Sequence, residues 1–213
     1  MMRQRKYLKP ISSVFIRDGE PLYPKDKDQN EMYPVVNNKE TPLAQGYAYA
    51  YAKDASGKGK YPLDTNGNEI ALSKIGVGGW HYAKDENGNA FYPKNKSGEE
   101  IVFGDYIRNK DGTFKFPLNR EGDPKYDTDK HTNDQVYFIK ADGSVNWGVD
   151  KNGNQRYAKR VNGDEYYPEN RELACHHSGS PQYARTSDGK VIFPLDVELN
   201  ESYIRDDTNG VPM

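Results

Sequence analysis

Residues able to do chemistry are few in this chain, and most recur in step. Cys175, His176 and His177 stand together in one irregular stretch, with His81 and His131 elsewhere. A thiol beside imidazoles raises a zinc site or an activated nucleophile. Adjacent ligands rarely close a tetrahedral site, and no Cys-x-x-Cys or His-x-x-x-His partner accompanies them. A catalytic thiol also needs a positioned base, which is a matter of three-dimensional placement and not of sequence. Cys175 is the only cysteine, so no internal disulfide can form, and an intermolecular disulfide is the bond open to it.

The turns Asp85-Glu-Asn-Gly88-Asn and Asp64-Thr-Asn-Gly67-Asn invite calcium. A calcium loop of the EF-hand kind needs Gly at its sixth position and a bidentate Glu at its twelfth. Here Gly comes fourth, where a hairpin turn requires it, and in Asp26-Lys-Asp28-Gln-Asn30 the next residue is Glu31 instead of Gly. Residues 75–79, Ile-Gly-Val-Gly-Gly, lack the Lys-Ser/Thr of a phosphate loop. Acidic residues recur with the repeat, whereas a catalytic carboxylate pair is singular, so they are read as turn and surface residues. No catalytic residue, metal site or cofactor is assigned, and the chain is expected not to be an enzyme.

The rings remain. Tyr51, Tyr61, Trp80, Tyr82, Tyr92, Trp147, Tyr157 and Tyr167 could stack on sugars or cage a quaternary amine. Rings in such strict register serve equally as a core or as packing between hairpins.

What positions them is a repeat. In residues 80–101, Tyr82-Ala-Lys followed by Asp85…Gly88 is answered ten residues on by Tyr92-Pro-Lys followed by Asn95…Gly98. The same block recurs from Phe15 to Gly210, most regularly at Tyr137, Trp147, Tyr157 and Tyr167, with inserts at 71–79, 102–105, 126–136 and 171–182. Alternation such as Phe114, Phe116, Leu118 or Val145, Trp147, Val149 is strand periodicity. Asp-x-Asn-Gly suits a turn closed by positive φ. Pro62, Pro93, Pro117, Pro168 and Pro194 follow the ring where the preceding block has Ala52, Ala83, Ile107, Ala158 and Ala184, so the true period is about twenty residues. Proline cannot donate to a ladder, which disfavours one wide sheet.

The expected fold is all-β: antiparallel hairpin repeats of about ten residues per strand-turn unit, in an elongated solenoid-like stack. A β-sandwich or barrel is the alternative. Residues 1–46 read as an N-terminal arm with degenerate first units, and 47–213 as the repeat domain.

Composition bounds the rest. The chain has 213 residues, 34% hydrophobic and 29% charged, yet 17 Tyr, 7 Phe and 2 Trp. Mean hydropathy is −1.04. So many rings imply a folded protein with a thin aromatic core. A formal net charge of −2, well mixed, offers no field for nucleic acid. No apolar run suits a signal peptide or a membrane span, which points to an intracellular protein or a component of a virion or other particle. The sequons Asn95-Lys-Ser97 and Asn200-Glu-Ser202 are read as chance.

The Tyr-x-x-Asp-x-x-Gly blocks resemble YD-type repeats of bacterial shell and toxin-delivery proteins. Their twenty-residue pairing is similar to choline-binding repeats, and Trp147-Gly-Val-Asp-Lys-Asn-Gly153-Asn resembles a unit of the WG-type repeats. The Tyr-Pro-Lys-Asp blocks resemble repeat proteins of large invertebrate DNA viruses. These likenesses imply hairpin repeats. The function expected is a structural or assembly protein that packs with itself or with other structural proteins, with a glycan- or choline-binding module as the alternative.

Overall fold

Each block is organised by its turn. In block 51–60, the Asp54 Oδ1 accepts the N–H groups of Ser56 at 2.9 Å and Lys58 at 3.0 Å, and Gly57 N–H donates to the Asp54 carbonyl at 3.0 Å. Gly57 has φ +88°, a conformation open to glycine at no steric cost. Asp26, Asp64, Asp85, Asn95, Asp150 and Asp196 hold their turns by the same pair of side-chain bonds. The computed structural model describes residues 16–17, 20–21, 23–45, 48–74, 76, 78–168 and 182–203.

Five residues spent on the turn leave little for strands. Ala52–Lys53 pairs antiparallel with Gly59–Lys60. Phe138–Ile139 pairs with Val145–Asn146, Gly148–Val149 with Gln155–Arg156, Ala158–Lys159 with Glu165–Tyr166, and Ala184–Arg185 with Val191–Ile192. Among the described residues every sheet is two-stranded and antiparallel, none closes a barrel, and there is no helix. The expected all-β hairpin architecture is therefore present. Its hairpin is shorter than the spacing suggested, because each block folds back on itself instead of pairing with the next block.

The prolines act as their chemistry requires. Pro62 has no N–H, and its block keeps one bridge, Leu63↔Glu69, with Ile70 N–H donating to the Pro62 carbonyl at 3.0 Å. Blocks following Pro93, Pro117 and Pro194 keep the single bridges Lys94↔Glu100, Leu118↔Pro124 and Leu195↔Glu201. So do those following Ala83 and Ile107, with Lys84↔Ala90 and Arg108↔Phe114, so proline is accommodated by the short hairpin and does not alone set its length.

The chain divides into two compact units, Met1–Ile107 and Arg108–Met213. In the first, edge-to-face pairs Tyr23–Tyr33, Tyr51–Tyr61, Tyr61–Phe91 and Tyr82–Tyr92 have centroids 5.1–5.3 Å apart. Tyr61, Ala71 and Ala83 form a buried cluster there, with Tyr51, Tyr82, Phe91 and Phe103 against it. In the second unit one herringbone runs Phe116, Tyr126, Tyr137, Trp147, Tyr157, Tyr167, Tyr183, Phe193, Tyr203. Each contact of this kind adds about 0.5–1.5 kcal/mol beyond area burial.

Candidate functional site

The rings do more than pack, because their hydroxyls are wired to the backbone of hairpins further along. Tyr33 Oη accepts the Ala52 N–H at 2.9 Å and donates to the Lys60 carbonyl at 2.5 Å. Ala52 and Lys60 are cross-strand partners at the base of a hairpin. The hydroxyl thus stands in for one ladder bond. Tyr51 does the same between Leu72 N–H (2.9 Å) and the His81 carbonyl (2.6 Å), and Tyr126 between Gly148 N–H and the Arg156 carbonyl (both 2.7 Å). Tyr61 relays from Ala83 to Phe91, Tyr137 from Ala158 to Tyr166, and Tyr157 from Ala184 to Ile192. Tyr92 accepts the Ile107 N–H at 2.8 Å, and Tyr82 accepts the Phe103 N–H at 2.9 Å. Tyr167 donates to the Ser202 carbonyl at 2.9 Å, opposite Pro194, which has no N–H to give.

Burial and these bonds set the electrostatics. Burial pushes the Tyr23 phenol up to about 12 and raises those of Tyr33, Tyr51, Tyr61, Tyr92, Tyr126, Tyr137 and Tyr157 further. A phenol held protonated and doubly bonded is a structural group, not a nucleophile. Turn carboxylates shift the other way: the Asn68 side chain and backbone N–H donate to Asp64 and lower its pKa. The oxygens that invited a calcium reading are therefore engaged by N–H donors.

A second set of arms joins successive hairpins. The residue after each turn is often Glu or Gln, and its side chain caps an outward-facing N–H about two blocks on. Glu31 bonds Lys53 N–H (2.8 Å), Glu40 Leu63 (2.9 Å), Glu69 Lys94 (2.8 Å), Gln135 Lys159 (2.9 Å), Gln155 Arg185 (2.9 Å) and Glu165 Leu195 (3.1 Å). The residue just before it reaches the next turn: Asn30 caps Ala55 N–H, Asn68 Lys96, Asp134 Val161, Asn154 Ser187 and Asp164 Val197. These arms were invisible to a reading that put periodic acids on the surface. Their signal is a carboxylate or amide recurring directly behind the turn.

The expected site residues separate accordingly. Tyr61, Tyr92 and Tyr157 are buried, while Tyr51, Tyr82, Trp147 and Tyr167 are half-buried within the ring packing. Trp147 lies edge-on between Tyr137 and Tyr157, with centroids at 5.6 and 5.2 Å. Trp80 differs, being 45% exposed with one side against Phe103. Asn95 of the first sequon spends its amide on its own turn and on Glu99. Cys175, His176 and His177 lie outside the described residues. His81 packs edge-on against Tyr51, its Nε2 is buried without a partner among the described residues, and burial, then Lys74, lowers its pKa.

Open grooves lie among the described residues of both units. One, of about 480 Å³, lies in the first unit beside Lys53, Gly59, His81 and Lys84. The other, of about 600 Å³, lies in the second unit beside Arg160, Asp164, Tyr166, Tyr167 and Asp196. Among the described residues no three His, Cys, Asp or Glu side chains gather as a metal site, and no helix is long and apolar enough to cross a membrane. Comparison of the chain with protein-family models, with curated proteins and with solved structures gave no match.

Proposed function

We propose that this chain is a non-enzymatic structural protein whose Tyr-rich hairpins pack with copies of itself or with a larger particle, as a virion or fibre component does. The observation that carries this reading is apolar side chains at hairpin tips, where polar residues are the rule. Val161, Val197 and Leu199 are 72%, 61% and 76% exposed. They belong to neighbouring tips, since a Cβ added at Gly163 would lie 3.1 Å from the Val197 Cγ1. Exposed apolar patches mark interaction surfaces. The internal use of the tyrosine hydroxyls supports the same reading, because it spends reactive side chains on holding a scaffold together.

Sedimentation equilibrium tests it. The expected result is a mass that is a multiple of 24.2 kDa, falling to one chain when Val161 and Val197 are both changed to Asp. A single chain at every accessible concentration refutes the self-packing form of the proposal. The glycan-binding alternative draws on the second-unit groove, where Tyr166 and Tyr167 stand beside Arg160 and Asp196. Quenching of tyrosine fluorescence by a sugar panel, lost in Tyr167→Ala, would favour it.

A further inference from the structure

One joint in the first unit lacks both of its side-chain arms. Between blocks 61–70 and 92–100, the Glu69 carboxylate caps the Lys94 N–H and the Asn68 amide oxygen caps the Lys96 N–H, at 2.8 and 3.0 Å. Between blocks 22–31 and 51–60, Glu31 and Asn30 cap Lys53 and Ala55 in the same way, at 2.8 and 3.1 Å. In the joint from block 51–60 to block 82–90, the two positions are Gly59 and Lys58. Neither side chain offers an oxygen. The backbone half of the joint is intact, since Gly59 N–H donates to the Lys84 carbonyl at 2.7 Å, as Glu69 N–H does to Lys94 at 2.8 Å. The N–H groups of Lys84 and Glu86 therefore face this joint with no acceptor among the described residues.

The space left by the missing side chains is the groove of about 480 Å³, lined by Lys53, Gly57, Gly59, Lys84, Asp85 and Glu86 among others. Its lining sets the ammonium groups of Lys53 and Lys84 beside the carboxylates of Glu31, Asp85 and Glu86, so what marks it for an oxygen ligand is the pair of uncapped N–H groups and not its net charge. Glu31 is occupied by the Lys53 N–H, and Asp85 by the N–H groups of Asn87 and Asn89, whereas Lys53 and Lys84 form no ion pair with a described residue. At the regular joint one such N–H is capped by a carboxylate, Glu69 on Lys94, and a carboxylate oxygen brought to the Lys84 N–H would make the same charge-assisted bond, with the Lys53 and Lys84 ammonium groups nearby.

We propose that the Gly59 groove is a carboxylate-binding site. The ligand supplies from outside the oxygens that Glu and Asn side chains supply at the regular joints. The carboxylate comes either from a small organic acid or from a Glu side chain of an acidic segment. This does not depend on the assembly proposed above, because the donors face the groove in a single chain.

The test is an amide-resolved NMR titration of the whole chain with sodium propionate, which reproduces a Glu side chain beyond its Cα, against sodium chloride at equal ionic strength. Lys84 and Glu86 amides are expected to shift saturably, while Lys94 and Lys96, already capped, stay still. Lys53→Met and Lys84→Met are each expected to weaken the response about two- to five-fold, as for an exposed ion pair. Gly59→Glu should fill the groove from within and abolish the Lys84 response. Its Cβ would meet the Ala83 Cβ at 3.0 Å and the Lys84 backbone O and N at 3.2 and 3.3 Å, which demands a shift of a few tenths of an ångström. Should that variant not fold, Lys58→Asn, at an exposed position, should still remove the Glu86 response alone. A Glu-containing peptide binding more tightly than propionate, and lost with Gln in place of Glu, identifies an acidic segment as the source. Equal affinities identify a small acid. A uniform drift of all amides, or responses at Lys94 and Lys96 equal to those at Lys84, overturns the proposal.

Discussion

Replacing Tyr61 by Phe isolates the hydroxyl relay, because it removes one oxygen and leaves the ring. Tyr61 is 5% exposed, and its ring keeps its edge-on contacts with Tyr51 and Phe91 at 5.1 and 5.3 Å. The lost oxygen accepts the Ala83 N–H at 2.9 Å and donates to the Phe91 carbonyl. Ala83 is 1% exposed, so its N–H is left buried without a partner. An orphaned buried donor costs about 1–3 kcal/mol, and loss of the carbonyl bond adds about 1 kcal/mol. The expected destabilisation is about 2–4 kcal/mol, a large share of the 5–15 kcal/mol typical of a domain. For a cooperative unit of roughly this size it lowers the melting temperature by about 4 °C or more per kcal/mol. Urea unfolding followed by circular dichroism gives the free energy, and hydrogen exchange gives the location: the Ala83 amide should exchange faster than its neighbours lose protection. Tyr203→Phe, at an exposed ring, is the control. A loss below about 0.5 kcal/mol at Tyr61, or unchanged exchange at Ala83, would refute the relay as a structural element.

Two more perturbations follow from the same geometry. Leu199 occupies the glycine position of its turn at φ +66° and is 76% exposed, so Leu199→Gly should stabilise by about 0.5–1 kcal/mol; Gly88→Ala, at φ +80° with open space around the added Cβ, should cost about 1 kcal/mol, both read from urea midpoints. Alkaline pH should unfold the first unit cooperatively: Tyr23, Tyr33, Tyr61 and Tyr92 are buried with raised pKa values, so the folded state holds phenol protons that the unfolded chain releases above about pH 10. Stability is complete below that value and falls as pH rises, by about 1.4 kcal/mol per pH unit for each such group, so phenolate absorbance and circular dichroism should change together. Phenolate appearing gradually in a chain that stays folded would contradict it.

The turns, the ten-residue block and the ring core were legible because each is local. Asp54 to Gly57 carries its own hydrogen bonds, and glycine at the reversal is a matter of φ alone. The alternation of Ala52, Ala83 and Ala158 with Pro62, Pro93 and Pro168 was legible as a twenty-residue period, but not its meaning. An Ala amide receives a tyrosine hydroxyl from 19 to 22 residues earlier, as Ala52, Ala83 and Ala158 do from Tyr33, Tyr61 and Tyr137. No window of one block contains both partners. The pairing of strands inside a block was missed for a related reason: an alternation such as Val145, Trp147, Val149 looks like one strand, yet Val145 closes one hairpin and Val149 belongs to the next.

Because side chains supply part of each joint, beside a single backbone bond such as that from Gly59 N–H to the Lys84 carbonyl, each joint depends in part on the identity of two or three residues. A backbone ladder is indifferent to what its side chains are, whereas here Gly59 alone removes an acceptor that Glu31 and Glu69 provide. The dependence is on residue type and much less on chain length. Between Tyr157 and Ala184 the relay spans 27 residues instead of 21, yet its bonds are 3.1 and 2.7 Å, and the rings Tyr167 and Tyr183 stay 5.8 Å apart beside 5.6 Å for Tyr157 and Tyr167. Loop closure grows only logarithmically with length, so an insert that keeps both ends in register costs little. Such a chain can therefore diversify in two places without losing its scaffold: in the inserts, and at any joint where an arm is deleted and its N–H groups are freed for something outside the chain.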